Sequence, residues 1–198
     1  GNVNYFGKHI MTTQNDETAL GQGSSVKMET QETMKIIAAG NIFTGTFERD
    51  GMGGILTLGR NFECRPNKLK GYYKYTSAKV SVSKGHLNEG EDDLCSLYIA
   101  LTDEQITVNT NKGIYFDPNS SAVIAYGSIS DEESKGADSF KEFTVDLEYK
   151  DLKRIPKYII VVSSSSKYGD YMEGGKGSTM WLDDLELVYP KSMEEVRK

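Results

Sequence analysis

Histidine, cysteine and tryptophan are scarce in this chain: two His, two Cys and one Trp in 198 residues. With His9 and His86 as the only imidazoles, a serine-type triad needs one of them beside a nucleophile, and neither lies in a recognisable context. Both are expected as surface or loop residues, and zinc-ligand clustering is missing as well. Two cysteines, Cys64 and Cys95, are too few for a disulfide framework and are expected as separate, mostly buried thiols. An oxidising compartment would let them pair. No apolar run approaches the ~18 residues that a membrane-spanning helix needs. Nor does a charged-then-apolar leader precede the first strand signals. The start at Gly1-Asn2 reads as a processed or recombinant one, from which an export signal or lipid anchor would already be gone. Positive charge is also short: 23 Lys and Arg against 29 Asp and Glu leave a net charge of -6. Sequence-independent nucleic-acid binding needs a concentrated positive field, so nucleic acid is excluded as a partner.

Helical periodicity is nearly absent too, and in its place short alternating stretches recur between Gly, Asn, Asp and Ser clusters. Strands are expected at 25–30, 34–39, 55–58, 71–82, 94–101, 122–126, 143–149, 158–162 and 181–189. Residues 94–101 are apolar on both parities, which predicts an interior strand covered on both faces. Residues 143–149 alternate most cleanly, and Pro156 introduces the apolar run Tyr158-Ile159-Ile160-Val161-Val162. Residues 131–139 read as a solvated acidic loop. Hydrophobic residues at 37% suffice for a real core. The expected fold is all-β, a two-sheet β-sandwich of jelly-roll type forming a single domain over 1–198, with 191–198 a charged tail.

The longest chemically suggestive stretch, residues 163–189, joins the two strongest strand signals through a serine run and a glycine-rich turn. Gly174-Gly175-Lys176-Gly177-Ser178 holds the ingredients of a phosphate-cradling loop but fails on spacing, and a strand follows where a helix N-terminus is required. Asp183 and Asp184 are the carboxylates of most interest. Strand parity puts Asp183 on the face of Leu185, Leu187 and Tyr189 unless a bulge intervenes. Such a carboxylate is either an oxygen ligand for calcium or a hydrogen-bonded acid paired with Arg65 or Lys167, and the second reading is favoured because no Asp-rich calcium loop accompanies it.

Aromatic residues are the main resource, with 12 Tyr among them. Exposed rings with polar neighbours can bury the apolar face of a sugar while charged groups bond its hydroxyls. Alternation over 71–82 places Tyr73 and Tyr75 opposite Tyr72, Lys74, Val80 and Val82. Tyr73, Tyr75, Tyr168 and Tyr171 are the stacking candidates, with Lys74, Asp170 and Lys176 as hydroxyl partners; Tyr72 and Trp181 are assigned to packing.

Residues 38–45 (AAGNIFTG), 65–76 (RPNKLKGYYKYT) and 163–189, with Ala125-Tyr126-Gly127 and 143–149 in order and spacing, resemble the putative carbohydrate metabolism domain family of exported proteins from gut-dwelling Gram-negative bacteria. The resemblance implies a jelly roll similar to carbohydrate-binding modules, carried by a lipoprotein of the periplasm or outer-membrane surface, with a lipid anchor or neighbouring domain outside this sequence. It supplies no catalytic set. The leading expectation is therefore non-catalytic binding of an oligo- or polysaccharide without a cofactor. The alternatives are a glycoside hydrolase drawing acid and base from Asp170, Glu173, Asp183 or Asp184, and an adhesive module with a protein partner.

Overall fold

The computed structural model describes residues 10–51 and 53–191. His9 and all of the charged tail but Lys191 lie outside the described residues. Strands dominate, as the two-residue periodicity requires, and all the strand pairs are antiparallel. One sheet has the order Thr12–Asn15, Ser25–Glu29, Thr179–Val188, Lys68–Thr76, Ala137–Asp146. The second has the order Glu148–Tyr149, Val123–Ser128, Ser96–Thr102, Tyr158–Ser164, Asn41–Phe43, with Arg60–Asn61 also pairing along Tyr158–Ser164. The architecture is a β-sandwich of jelly-roll type.

The main core lies between the two sheets. Met28, Leu69, Tyr73, Phe143, Met180 and Leu182 come from the five-stranded sheet, and Leu97, Ile99, Leu101 and Ile124 from the six-stranded sheet. Burying each such side chain is worth about 1.5–3 kcal/mol. A further sheet, Ile106–Asn109, Gly53–Leu58 and Gly45–Asp50, covers part of the outer face of the six-stranded sheet. There Leu58 and Val108 meet Ala100 and Ile160 in a second, smaller core. This explains why Ser96–Thr102 is apolar on both parities: Leu97, Ile99 and Leu101 face the main core and Ala100 the second one.

Two expectations change. Within 131–139 a one-turn helix forms at Asp131–Ser134, capped by Ser130 and Glu133 in a reciprocal box, and the strand Ala137–Asp146 begins directly after it. Cys95 is buried as expected, but Cys64 is exposed and both thiols are free.

Candidate functional site

The strand Tyr158–Ser164 carries the chain into the serine run, and the serines are used internally. Ser163, Ser165 and Ser166 are buried. Ser165 Oγ donates to the Gly40 carbonyl at 3.1 Å, and Thr30 Oγ1 lies 2.8 and 2.6 Å from the hydroxyls of Ser165 and Ser166. Ser166 Oγ donates in turn to Asp93 Oδ2 at 2.6 Å, where the Gly175 amide also donates at 2.8 Å. Asp93 is completely buried. Burial pushes its carboxyl above the usual range, with Ser166 and Gly175 pulling the other way. Both ends of the loop between Ser166 and Gly175 are therefore tied to one buried carboxylate.

A second buried acid holds the middle. Glu173 has no exposed surface. It accepts the amides of Lys84 at 2.8 Å, His86 at 3.2 Å and Leu87 at 2.5 Å, and its Oε2 lies 3.1 Å from His86 Nδ1. Burial alone raises a carboxyl, but the Leu87 amide, the His86 ring and the other amides outweigh it, and the net shift is downward. An ionised Glu173 accepts only, so Nδ1 carries the proton and donates. The loop at residues 83–90 is fastened to the loop at 167–174 in this way.

The His86 ring held by Glu173 is part of a continuous wall of rings. It stacks on Tyr168 at 4.3 Å between centroids and packs tilted on Tyr171, also at 4.3 Å. Tyr171 stacks on Tyr115 at 3.9 Å. The next residue, Phe116, stacks on Tyr98 at 4.9 Å, and both approach Tyr126. Tyr98 and Tyr126 stand on the outer face of the six-stranded sheet, where the cover sheet leaves them half-buried. The short 3-10 turn Gly169–Tyr171 brings Asp170 to this face. Asp170 is open to solvent, yet the protein crowded around it pushes its carboxyl above the usual range. Its charge is felt on both sides: after burial itself, Asp170 contributes to raising the Tyr98 phenol, and together with Tyr115 it contributes at Tyr171.

Of the residues expected at the site, Tyr168, Asp170 and Tyr171 come together on this face. Tyr73 and Tyr75 do not: they are 0% and 2% exposed in the main core and offer no ring face to a ligand. The strand Lys68–Thr76 stops before Ala78, so the inward-facing Val80 and Val82 follow a break in parity and cannot be used to orient the tyrosines. Lys74 points from the opposite sheet, where its ammonium pairs with Glu17 and lies 4.4 Å from the Trp181 ring centroid. Trp181 is thus half-buried on an outer face beneath Lys27 and Lys74. Lys176 is exposed at the turn, its amide donating to Ser81 Oγ at 3.3 Å.

Asp183 is buried, and its oxygens accept the amides of Ala19 at 2.8 Å and Asp184 at 3.0 Å. Neither suggested mate reaches it: Lys167 pairs with Asp131, and Arg65 donates to the Arg154 carbonyl. The bulge does intervene, between Asp183 and Glu186, with Asp184 at φ 47°. Among the described residues no group of three or more His, Cys, Asp or Glu side chains is placed to share a metal ion. Sequence reasoning did not find Tyr98, Tyr115, Phe116 and Tyr126, and treated His86 as an ordinary loop residue. The adjacent pair Tyr115-Phe116, bracketed by turn residues, was the available signal.

Fold and face together define a jelly-roll β-sandwich with an open aromatic strip on one sheet. The chain belongs to the family described as the putative carbohydrate metabolism domain, whose sequence profile matches residues 5–188. A crystal structure of a putative glycoside hydrolase from Bacteroides thetaiotaomicron VPI-5482 is similar at 25% identity and TM-score 0.73, over 92% of this chain and 57% of that one. A putative glycoside hydrolase from Bacteroides vulgatus ATCC 8482 shares the fold at 22% identity and TM-score 0.70, over 90% and 77% of the two chains. This chain therefore spans little more than half of the first of these proteins. No curated protein matches the sequence.

Proposed function

We propose that this protein binds a glycan without cleaving it, holding an oligo- or polysaccharide against the outer face of the six-stranded sheet, and that it does so after export, in the periplasm or at the outer-membrane surface. The observation that carries this reading is the wall formed by Tyr168, His86, Tyr171 and Tyr115, with successive centroids 3.9–4.3 Å apart and Asp170 beside it. Rings that already pack on one another are fixed before a ligand arrives, so little side-chain freedom is lost on binding. Their apolar surface suits the C–H face of a sugar ring, and the phenols and Asp170 suit its hydroxyls. Membership of a carbohydrate-related family supports the same direction. Calorimetric titration against a broad panel of plant and host polysaccharides tests it. The expected result is saturable binding to at least one member; no binding across the panel at millimolar sugar contradicts it.

Hydrolysis is the second reading, favoured by one feature: a carboxyl raised above its usual range, as at Asp170, suits a general acid. A glycosidase needs a second, available carboxylate. Glu173, three residues on, is sealed by its amides and His86 and cannot act as nucleophile or base. The expected outcome is binding with no release of new reducing ends.

A further inference from the structure

We infer that Asp170 sets the ligand class of this face, admitting neutral glycans through hydroxyls donated to its carboxylate and excluding glycans built from uronic acids. The inference rests on the glycan-binding reading above and adds to it the charge of the ligand. Among the described residues no hydrogen bond or ion pair engages the Asp170 carboxylate, which is exposed to solvent between Tyr168 and Tyr171. Of the basic groups on its own loop and on the loop packed on it, Lys167 pairs with Asp131 at 3.1 Å and His86 Nδ1 donates to Glu173; Lys84 is exposed, and no cation among the described residues acts on Asp170, whose upward shift has burial as its cause. The neighbours of Asp170 include Tyr98 on the sheet side and Tyr171 on the loop side, both of whose phenols it helps to raise.

An unpaired carboxylate beside aromatic rings takes its partner from the ligand. Sugar hydroxyls are suitable donors, since a charged acceptor makes the hydrogen bond roughly twice as strong as a neutral one. A uronate brings a second negative charge beside the first, and neither Lys167 nor His86 is free to share it. Like charges brought together in this way oppose binding and act as discrimination against the wrong partner. Because exposed charges are screened by salt, the discrimination should fade as ionic strength rises.

The test compares neutral polysaccharides (mannan, galactan, xyloglucan, mixed-linkage glucan) with polygalacturonate and alginate, titrated at low and high salt into the wild-type protein and Asp170→Asn. Asp170→Ala serves as a second variant, and circular dichroism confirms the fold of each. The expected result is that wild type binds a neutral polymer at least about tenfold more tightly than either uronate at low salt. High salt narrows the ratio, and Asp170→Asn narrows it by gaining on the uronates. Equal or tighter uronate binding by wild type at low salt overturns the inference while leaving glycan binding standing. So does a ratio that neither variant changes. Binding of neither class overturns the glycan reading, and this inference with it.

Discussion

Glu173 is a carboxylate placed where water cannot reach it, and three amides with one imidazole offset its desolvation. Replacing it by Gln removes the charge those donors were arranged around. The expected loss is about 2 kcal/mol of stability at neutral pH, read by urea denaturation. Because the folded value of Glu173 is depressed, its contribution is present above the unfolded carboxyl value of about 4.3 and is lost as pH falls through the lower folded value. The gap between wild type and Glu173→Gln should therefore shrink between neutral pH and about pH 3; a gap that stays constant contradicts the assignment. Asp93 acts in the opposite sense. Its value is raised, so its contribution is present at low pH and is lost as pH rises through the folded value. The difference between the two proteins is thus a cleaner readout than either stability curve alone. None of this was legible from Glu173 itself, which in the sequence is one acid among 29. Its role depends on amides that arrive from a loop nearly ninety positions earlier.

At the scale of elements, the strands were largely legible because alternation and apolar runs report burial directly. Ala137–Asp146, Tyr158–Ser164 and Ser96–Thr102 all lie over or beside their expected positions. What alternation could not report was which face turns inward when both carry tyrosine, as in Lys68–Thr76, or where a bulge resets parity, as between Asp183 and Glu186. The geometry of the glycine-rich turn explains its glycine at 175. A Cβ on Gly175 would lie 2.7 Å from the Lys79 carbonyl oxygen and 2.9 Å from that of Ala78, both backbone atoms that cannot swing aside. Gly175→Ala is expected to cost about 2 kcal/mol. It should also loosen the amide that ties the turn to Asp93, seen as faster hydrogen exchange at Gly174 and Ser178. Unchanged melting temperature and exchange would show that the turn tolerates the methyl group.

For the whole molecule, the sandwich, its main core and the family were accessible from the sequence, whereas the site was accessible only in part. Tyr168, Asp170 and Tyr171 lie in one continuous loop, so their proximity could be read locally. Tyr98, Tyr115, Phe116, Tyr126 and His86 join them from other strands and loops, and only the fold brings them together. The central claim is that the ligand surface is this outer face and not the tyrosine-rich strand of the opposite sheet. Calorimetric titration of a polysaccharide bound by wild type into Tyr171→Ala and Tyr72→Ala tests it most directly. The account predicts that Tyr171→Ala weakens binding at least about tenfold, in line with 1–3 kcal/mol for a lost stacking ring, with the fold retained. Tyr72→Ala should bind as wild type does. Full affinity in Tyr171→Ala, with binding lost in Tyr72→Ala, would contradict it.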